Sequence, residues 1–175
     1  MEEQVILVDD RDHAIGLAGK MEAHLEGLLH RAFSVFVFNS KQELLLQKRA
    51  AGKYHSAGLW TNTCCSHPRA GEETKAAAHR RLLEEMGLRC ELKEVFSFTY
   101  KAVLENELIE HEFDHVFIGT SDEFPVLNTD EAEEYGYVSI DELSEALRLT
   151  PEKYTSWLRI CWPQVAGSIR KSLGQ

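Results

Sequence analysis

Residues 72–88 read EETKAAAHRRLLEEMGL, and the rest of the chain is organised around them. From Thr74 to Met86 the residues are good helix formers, and Gly87 supplies a natural C-terminal cap. At about 100° per residue, Ala76, Ala78, Leu82, Leu83 and Met86 are assigned to one arc. Arg80, Arg81, Glu84 and Glu85 then make a second, charged arc. An ordinary solvated face would also read this way, with Arg80–Glu84 and Arg81–Glu85 pairs worth only about 0.2–0.5 kcal/mol each. The same carboxylates, with Glu72 eight residues before Arg80, can instead hold Mg²⁺, which clamps a diphosphate.

Outward from this helix, residues 4–8 (QVILV) read as a strand. Residues 31–38 (RAFSVFVF) form a stronger one that ends at the turn signal Asn39-Ser40, and 43–49 (ELLLQKR) reads as the return arm of a hairpin. Strand-like segments follow at 95–104, 109–118 and 135–140. A short helix is expected at 141–148 and a longer one beyond Pro151, which Pro163 should end or kink. Strands interleaved with helices, without repeats or linker-like tracts, predict one α/β (α+β) domain over residues 1–175 with a mixed sheet between helices.

The chain has 175 residues, 43% hydrophobic and 27% charged, with a formal net charge of −10. Such an acidic balance argues against nucleic acid as a partner and leaves room for a small anion held by local cations or a metal. No run approaches the ~20 apolar residues of a membrane span. The acidic start, MEEQVILVDD, is unlike a signal peptide, so a cytoplasmic location is expected. In that compartment Cys64, Cys65, Cys90 and Cys161 are thiols or ligands rather than disulfides.

Two further stretches carry chemistry. In IEHEFDHVF (109–117) strand alternation places Glu110, Glu112 and Asp114 on one face and His111, Phe113 and His115 on the other. Carboxylates crowded on one face need a metal or shared protons, unless they lie on a solvent-facing edge strand. LENEL (104–108) repeats the E-x-E spacing and shows that spacing alone does not choose the pair. In TNTCCSHP (61–68) adjacent thiols precede His67; with His24 and His30, three histidines and two carboxylates would suit Mg²⁺, Mn²⁺ or Zn²⁺.

Arg80, Glu84, Glu85 and Gly87, with Glu72 before them and Ser66 at the first glycine, resemble the Nudix box, G-x5-E-x7-R-E-U-x-E-E-x-G-U. Arg81 stands where that pattern has a glutamate. A cation there favours holding a diphosphate over cleaving it. LHRAFSVFVFN (29–39), WTNTCCSHP (60–68), RRLLEEMGL (80–88) and EHEFDHVF (110–117), in this order, resemble the type I isopentenyl diphosphate isomerases, metal-dependent enzymes of Nudix fold; the likeness runs from about Val5 to Trp157.

That resemblance implies a metal site at His24, His30, His67, Glu110 and Glu112, with Glu110 and Glu112 chosen over Glu105 and Glu107. It implies Cys65 and Glu112 as catalytic groups, with Tyr100 hydrogen-bonded near Glu112. Glu85 would help hold a substrate-bound Mg²⁺, and Lys20, Arg49, Lys53 and Arg81 would receive the diphosphate. Trp157, ahead of Trp162, would cap a carbocation. The activity implied is interconversion of isopentenyl and dimethylallyl diphosphate. A small allylic or homoallylic diphosphate is then the partner, without nucleic acid, membrane, flavin or nicotinamide, in a monomer or weak dimer. Two competing readings are a Nudix diphosphate hydrolase and a zinc-stabilised binding module using Cys64, Cys65 and His67.

Overall fold

The computed structural model describes residues 2–174. Among the described residues, nine strands make one mixed sheet: β1 (Gln4–Val8), β2 (Ala14–Gly19), β3 (His30–Phe38), β4 (Glu43–Arg49), β5 (Trp60–Thr61), β6 (Cys64–Ser66), β7 (Leu92–Val103), β8 (Ile109–Thr120) and β9 (Ala132–Ser139). Four α-helices accompany them: α1 (Lys20–Glu26), α2 (Thr74–Met86), α3 (Ile140–Leu149) and α4 (Ser156–Ser172). The predicted α/β class and mixed sheet are what the chain adopts.

β3 is the axis of the molecule. It runs parallel to β8 along its whole length, from His30 opposite Glu112 to Phe38 opposite Thr120. On its other edge it pairs antiparallel with β6, with Ser34 opposite Cys65 and Val35 opposite Cys64. Its mostly apolar run, interrupted by Ser34, is explained by burial on both faces. Phe33, Val35 and Val37 pack under α2 with Leu82, Met86 and Phe117. Phe36 and Phe38 pack on the opposite face with Leu143 of α3 and Leu158, Trp162 and Val165 of α4. The sheet is therefore sandwiched between α2 and the α3/α4 pair.

Several expectations are corrected. β3 and β4 are joined by a tight turn but pair only at Phe38–Leu44. β4 then diverges to pair with β9 and β5, because β3 is already flanked by β6 and β8. On α2 the buried residues are Ala77, Ala78, Leu82, Glu85 and Met86, whereas Ala76 and Leu83 are exposed. The inward arc is thus centred nearer Glu85 than the apolar residues alone indicate. Pro163 lies inside α4, which continues to Ser172; the buried Leu158, Trp162 and Val165 stripe holds the helix across the proline. β2 and α1 were not foreseen, since AIGLAG carries no alternation and α1 has only seven residues.

Two ends are specified locally. Gly87 caps α2 at φ 65, and a Cβ there would lie 2.8 Å from the Val126 carbonyl oxygen, so both conformation and space require glycine. Ser139 and Glu142 form a reciprocal capping box at the start of α3. Among the described residues, no helix is long and apolar enough to cross a membrane.

Candidate active site

The site lies where β3, β6 and β8 meet beneath the start of α4. Strand pleating puts Glu110, Glu112 and Asp114 on one face of β8, all buried, as alternation predicted. β8 lies between β3 and β7, so its carboxylates face the interior and the edge-strand reading does not hold. Glu105 and Glu107 are exposed in the turn before β8. Asp114 Oδ2 accepts from Ser34 Oγ at 2.8 Å. Tyr100 Oη donates to Glu110 Oε2 at 3.0 Å, and its hydroxyl also interacts with the Glu112 carboxylate. Tyr100 is opposite Glu112 in register, and its ring is long enough to reach the diagonal neighbour.

Three histidines converge on these acids. His24 on α1 and His30 at the start of β3 are fully buried, and His67 follows β6. His24 Nδ1 donates to the Lys20 carbonyl at 2.7 Å and His30 Nδ1 to the Leu28 carbonyl at 2.8 Å. Each ring therefore presents an Nε2 lone pair inward, the tautomer that metal-binding histidines use. His24 Nε2 and His67 Nδ1 have no hydrogen-bond partner. Donor atoms of His24, His30, His67 and Glu112 lie within 4.8 Å of one another. His30 Nε2 is 3.2 Å from His67 Nε2, and His67 Nε2 is 3.7 Å from Glu112 Oε1. Glu110 belongs to a second grouping with His24 and His55.

Without a cation this assembly is electrostatically awkward. Burial, then the neighbouring Asp114, raises the Glu112 carboxyl to about 8. Burial likewise raises Asp114 to about 8 and holds Glu110 well above the ordinary range. Burial, followed by the charge of His67, depresses His30 to about 2, and burial also lowers His24 and His67. Clustered carboxylates that resist ionising, beside imidazoles that resist protonation, form the donor set of a divalent metal. The residues fit such an ion.

The cavity over this cluster is lined by Cys65, Glu85, Tyr100, Trp157 and the cations Lys20, Arg49, Lys53 and Arg81. β6 explains why only one cysteine reaches it. Cys64 turns into the core under α2, and Cys65, one residue on, faces the cavity. Opposite faces of a strand cannot supply one ion, so the Cys64–Cys65–His67 zinc module is excluded by geometry. Burial pushes the Cys65 thiol up, keeping it protonated. Cys64→Ala is expected to cost about 1–2 kcal/mol through the small void it leaves while activity persists. Thermal unfolding beside a turnover assay checks this.

The sequence's cations are present but engaged. Arg81 Nη2 contacts Glu85 Oε1 at 2.6 Å and Glu131 Oε1 at 3.1 Å, and Glu131 also holds Lys53 at 2.5 Å. Glu85 is buried and accepts a further bond from Gln47 Nε2 at 2.9 Å, outside the histidine cluster. Lys20 pairs with Glu3 at 3.0 Å. The Arg49 guanidinium lies 5.3 Å from the Trp157 ring, and Trp157 Nε1 donates to Asn62 Oδ1 at 3.1 Å. Trp162 packs in the core against Phe36 and bonds Ser144, which leaves Trp157 as the indole at the cavity. Arg80 pins Glu72 through two hydrogen bonds of 2.8 and 2.9 Å, so Glu72 braces the loop before α2 rather than entering the site.

Glu131 and His55 were not singled out from sequence. Glu131 stands among other acids at 130–134 and nothing local distinguishes it. For His55 a signal existed: it lies two residues after Lys53 in the loop between β4 and β5.

A NUDIX domain family model matches residues 28–158. DR0079 from Deinococcus radiodurans has a similar fold, with TM-score 0.78 and 18% identity over 93% of this chain and 98% of that one. The MutT protein of Methanosarcina mazei Go1 gives TM-score 0.64 and 19% identity over 78% and 91%. Among sequence relatives, the isopentenyl-diphosphate Delta-isomerase 2 of Aromatoleum aromaticum is 59% identical over 94% of this chain and 87% of its own length. The isopentenyl-diphosphate Delta-isomerase of Pectobacterium atrosepticum is 54% identical over 93% and 90%, and isopentenyl-diphosphate Delta-isomerase 2 of Photorhabdus laumondii is 57% identical over 91% and 90%. Identity above one half across nearly the full length of each partner, joined to a Nudix fold, places this chain in the isopentenyl-diphosphate Delta-isomerase family.

Proposed function

We propose that the chain interconverts isopentenyl and dimethylallyl diphosphate, an isomerisation that moves a C=C bond by one carbon without releasing phosphate. The observation that carries the reading is one cavity holding a protonated thiol, a buried Tyr100–Glu110–Glu112 acid cluster and an indole. It joins an arginine, Arg81, where a hydrolase needs a carboxylate.

In the forward direction the alkene π electrons take a proton at C4, leaving a tertiary cation at C3; loss of a proton from C2 then forms the new double bond. Cys65 and Glu112 are the two proton-exchanging groups. Cys65 rests as a thiol, so it offers a proton and is a poor nucleophile. Glu112, with the Tyr100–Glu110 pair beside it, exchanges the other. Trp157 presents a π face to the cation, worth roughly 0.5–2 kcal/mol. Its larger effect is to exclude water, which would trap the cation as an alcohol. Lys20, Arg49, Lys53 and Arg81 receive the diphosphate, and for Lys53 and Arg81 the substrate's oxygens replace those of Glu131.

A divalent ion fits His24, His30, His67, Glu110 and Glu112, where Mg²⁺, Mn²⁺ or Zn²⁺ would supply fixed positive charge; Mg²⁺ carried by the substrate would lie near Glu85. No flavin or nicotinamide is needed by a proton-only reaction. We place the enzyme in the cytoplasm as one domain over residues 1–175, a monomer or weak dimer. Incubation with isopentenyl diphosphate and Mg²⁺ in D₂O, followed by NMR, tests the reading. Deuterated dimethylallyl diphosphate without free phosphate is the expected result, and phosphate release would establish the hydrolase instead.

A further inference from the structure

Two of the cations that line the cavity converge on one carboxylate. Glu131 Oε2 accepts from Lys53 Nζ at 2.5 Å, and Glu131 Oε1 lies 3.1 Å from Arg81 Nη2, so each oxygen holds one cation. The backbone fixes the residue there. Its N–H donates to the Asn128 carbonyl at 3.0 Å, and its carbonyl accepts from the Ala50 N–H at 3.0 Å. The next residue, Ala132, opens β9 opposite Arg49. Burial alone would raise the Glu131 carboxyl, but Lys53 and then Arg81 hold it down at about 2, so it stays ionised at neutral pH.

An ionised carboxylate across a lysine and an arginine presents what a phosphoryl group would present: two negative oxygens on the same donors. The two cannot both have Arg81 Nη2. This nitrogen carries two N–H groups, one directed at Glu85 and the other at Glu131. Glu85 is buried, sits closer at 2.6 Å and is tied to Gln47 as well. Glu131 is half-buried and makes the longer contact, so it is the one that yields. Glu3, by contrast, holds Lys20 alone.

We propose that Glu131 is an internal competitor of the diphosphate: its carboxylate occupies Lys53 and Arg81 until substrate or product takes them, and reclaims them as product departs. Substrate and product carry the same diphosphate, so the competition weakens both equally. It raises KM and hastens product release, and it leaves the proton transfers at Cys65 and Glu112 untouched. The inference rests on the reading of Lys53 and Arg81 as diphosphate ligands. It adds that the protein opposes that binding with one carboxylate of its own.

Calorimetric titration of the metal-loaded full chain with inorganic diphosphate and Mg²⁺ compares wild type, Glu131→Gln and Glu133→Gln. Glu133 also belongs to β9 but pairs with Lys48 at 3.2 Å, so its variant makes the same change of net charge without touching Lys53 or Arg81. Glu131→Gln should bind about tenfold more tightly, and Glu133→Gln within about twofold of wild type. The KM for isopentenyl diphosphate should fall with the Kd in Glu131→Gln while kcat does not rise. Unchanged or weaker binding in this variant overturns the proposal, because a carboxylate that only braces the cations gives that result. Equal tightening in both variants assigns the effect to net charge and overturns it too. A crystal structure of the wild type with inorganic diphosphate decides without any variant. The Glu131 carboxylate is expected beyond about 4 Å from Lys53 Nζ and Arg81 Nη2; one still bonded to both overturns the proposal. A wild type that binds no inorganic diphosphate would refute the reading of the cations, and this proposal with it, whereas the isomerase reading stands or falls separately on the D₂O assay.

Discussion

Cys65→Ala is expected to lower the turnover of isopentenyl diphosphate by about 10²–10⁴-fold, the usual contribution of a positioned acid or base. The fold should survive, because the Cys65 side chain projects into the cavity and α2 packs on Cys64 instead. Glu112→Gln keeps the shape and removes the charge, so it should lose at least as much: it abolishes one proton exchange and weakens the donor set together. Deuterium incorporation separates the two roles. A variant lacking the group that protonates C4 should form no dimethylallyl product in D₂O. One lacking only the group that exchanges at C2 should still take up deuterium at C4 whenever the cation returns to starting material. Near-normal turnover in Cys65→Ala, with unchanged thermal unfolding, would remove the thiol from the mechanism.

The site was legible to the extent that its residues obey strand periodicity. Glu110, Glu112 and Asp114 alternate along β8, and the opposed directions of Cys64 and Cys65 follow from the same pleat. Gly87 marked the end of α2 because a left-handed cap admits few other residues. What the sequence hid was mostly partnership at a distance. Glu131 reaches Lys53 and Arg81 from residues 78 and 50 positions away, and no local pattern encodes such a contact. Glu85 reads as a surface charge of a helical i,i+4 pair and is in fact buried, because Gln47 of β4 and Arg81 satisfy both of its oxygens. The divergence of β3 from β4 was hidden for a related reason. A turn announces that two strands are adjacent in sequence, while competition from β6 and β8 decides how far they stay paired.

Removing the metal should make stability fall steeply with rising pH. Glu112 and Asp114 start from ordinary values of 4.5 and 3.8 and are raised to about 8 in the folded, metal-free protein. Between those limits the folded state keeps protons that the unfolded chain has released, so stability decreases as pH rises. Glu110 is shifted upward too and acts in the same sense. The histidines oppose this, but only in acid. His24, His30, His55 and His67 are all depressed from 6.5, so protonation of the unfolded chain destabilises the fold below that value. The histidines' opposition is half gone at pH 6.5 and fades over the next unit, so the carboxylates dominate above about pH 6.5. From there to about pH 8.5 the Tm in chelator is expected to fall by on the order of 10 °C. Saturating Mn²⁺ should abolish or reverse the slope, since the ion takes deprotonated carboxylates and neutral imidazoles and binds more tightly as pH rises. Calorimetry at both pH values, with chelator and with Mn²⁺, measures this. A Tm that stays level in chelator, or the same downward slope with and without the ion, would mean that these buried carboxylates are not waiting for a cation.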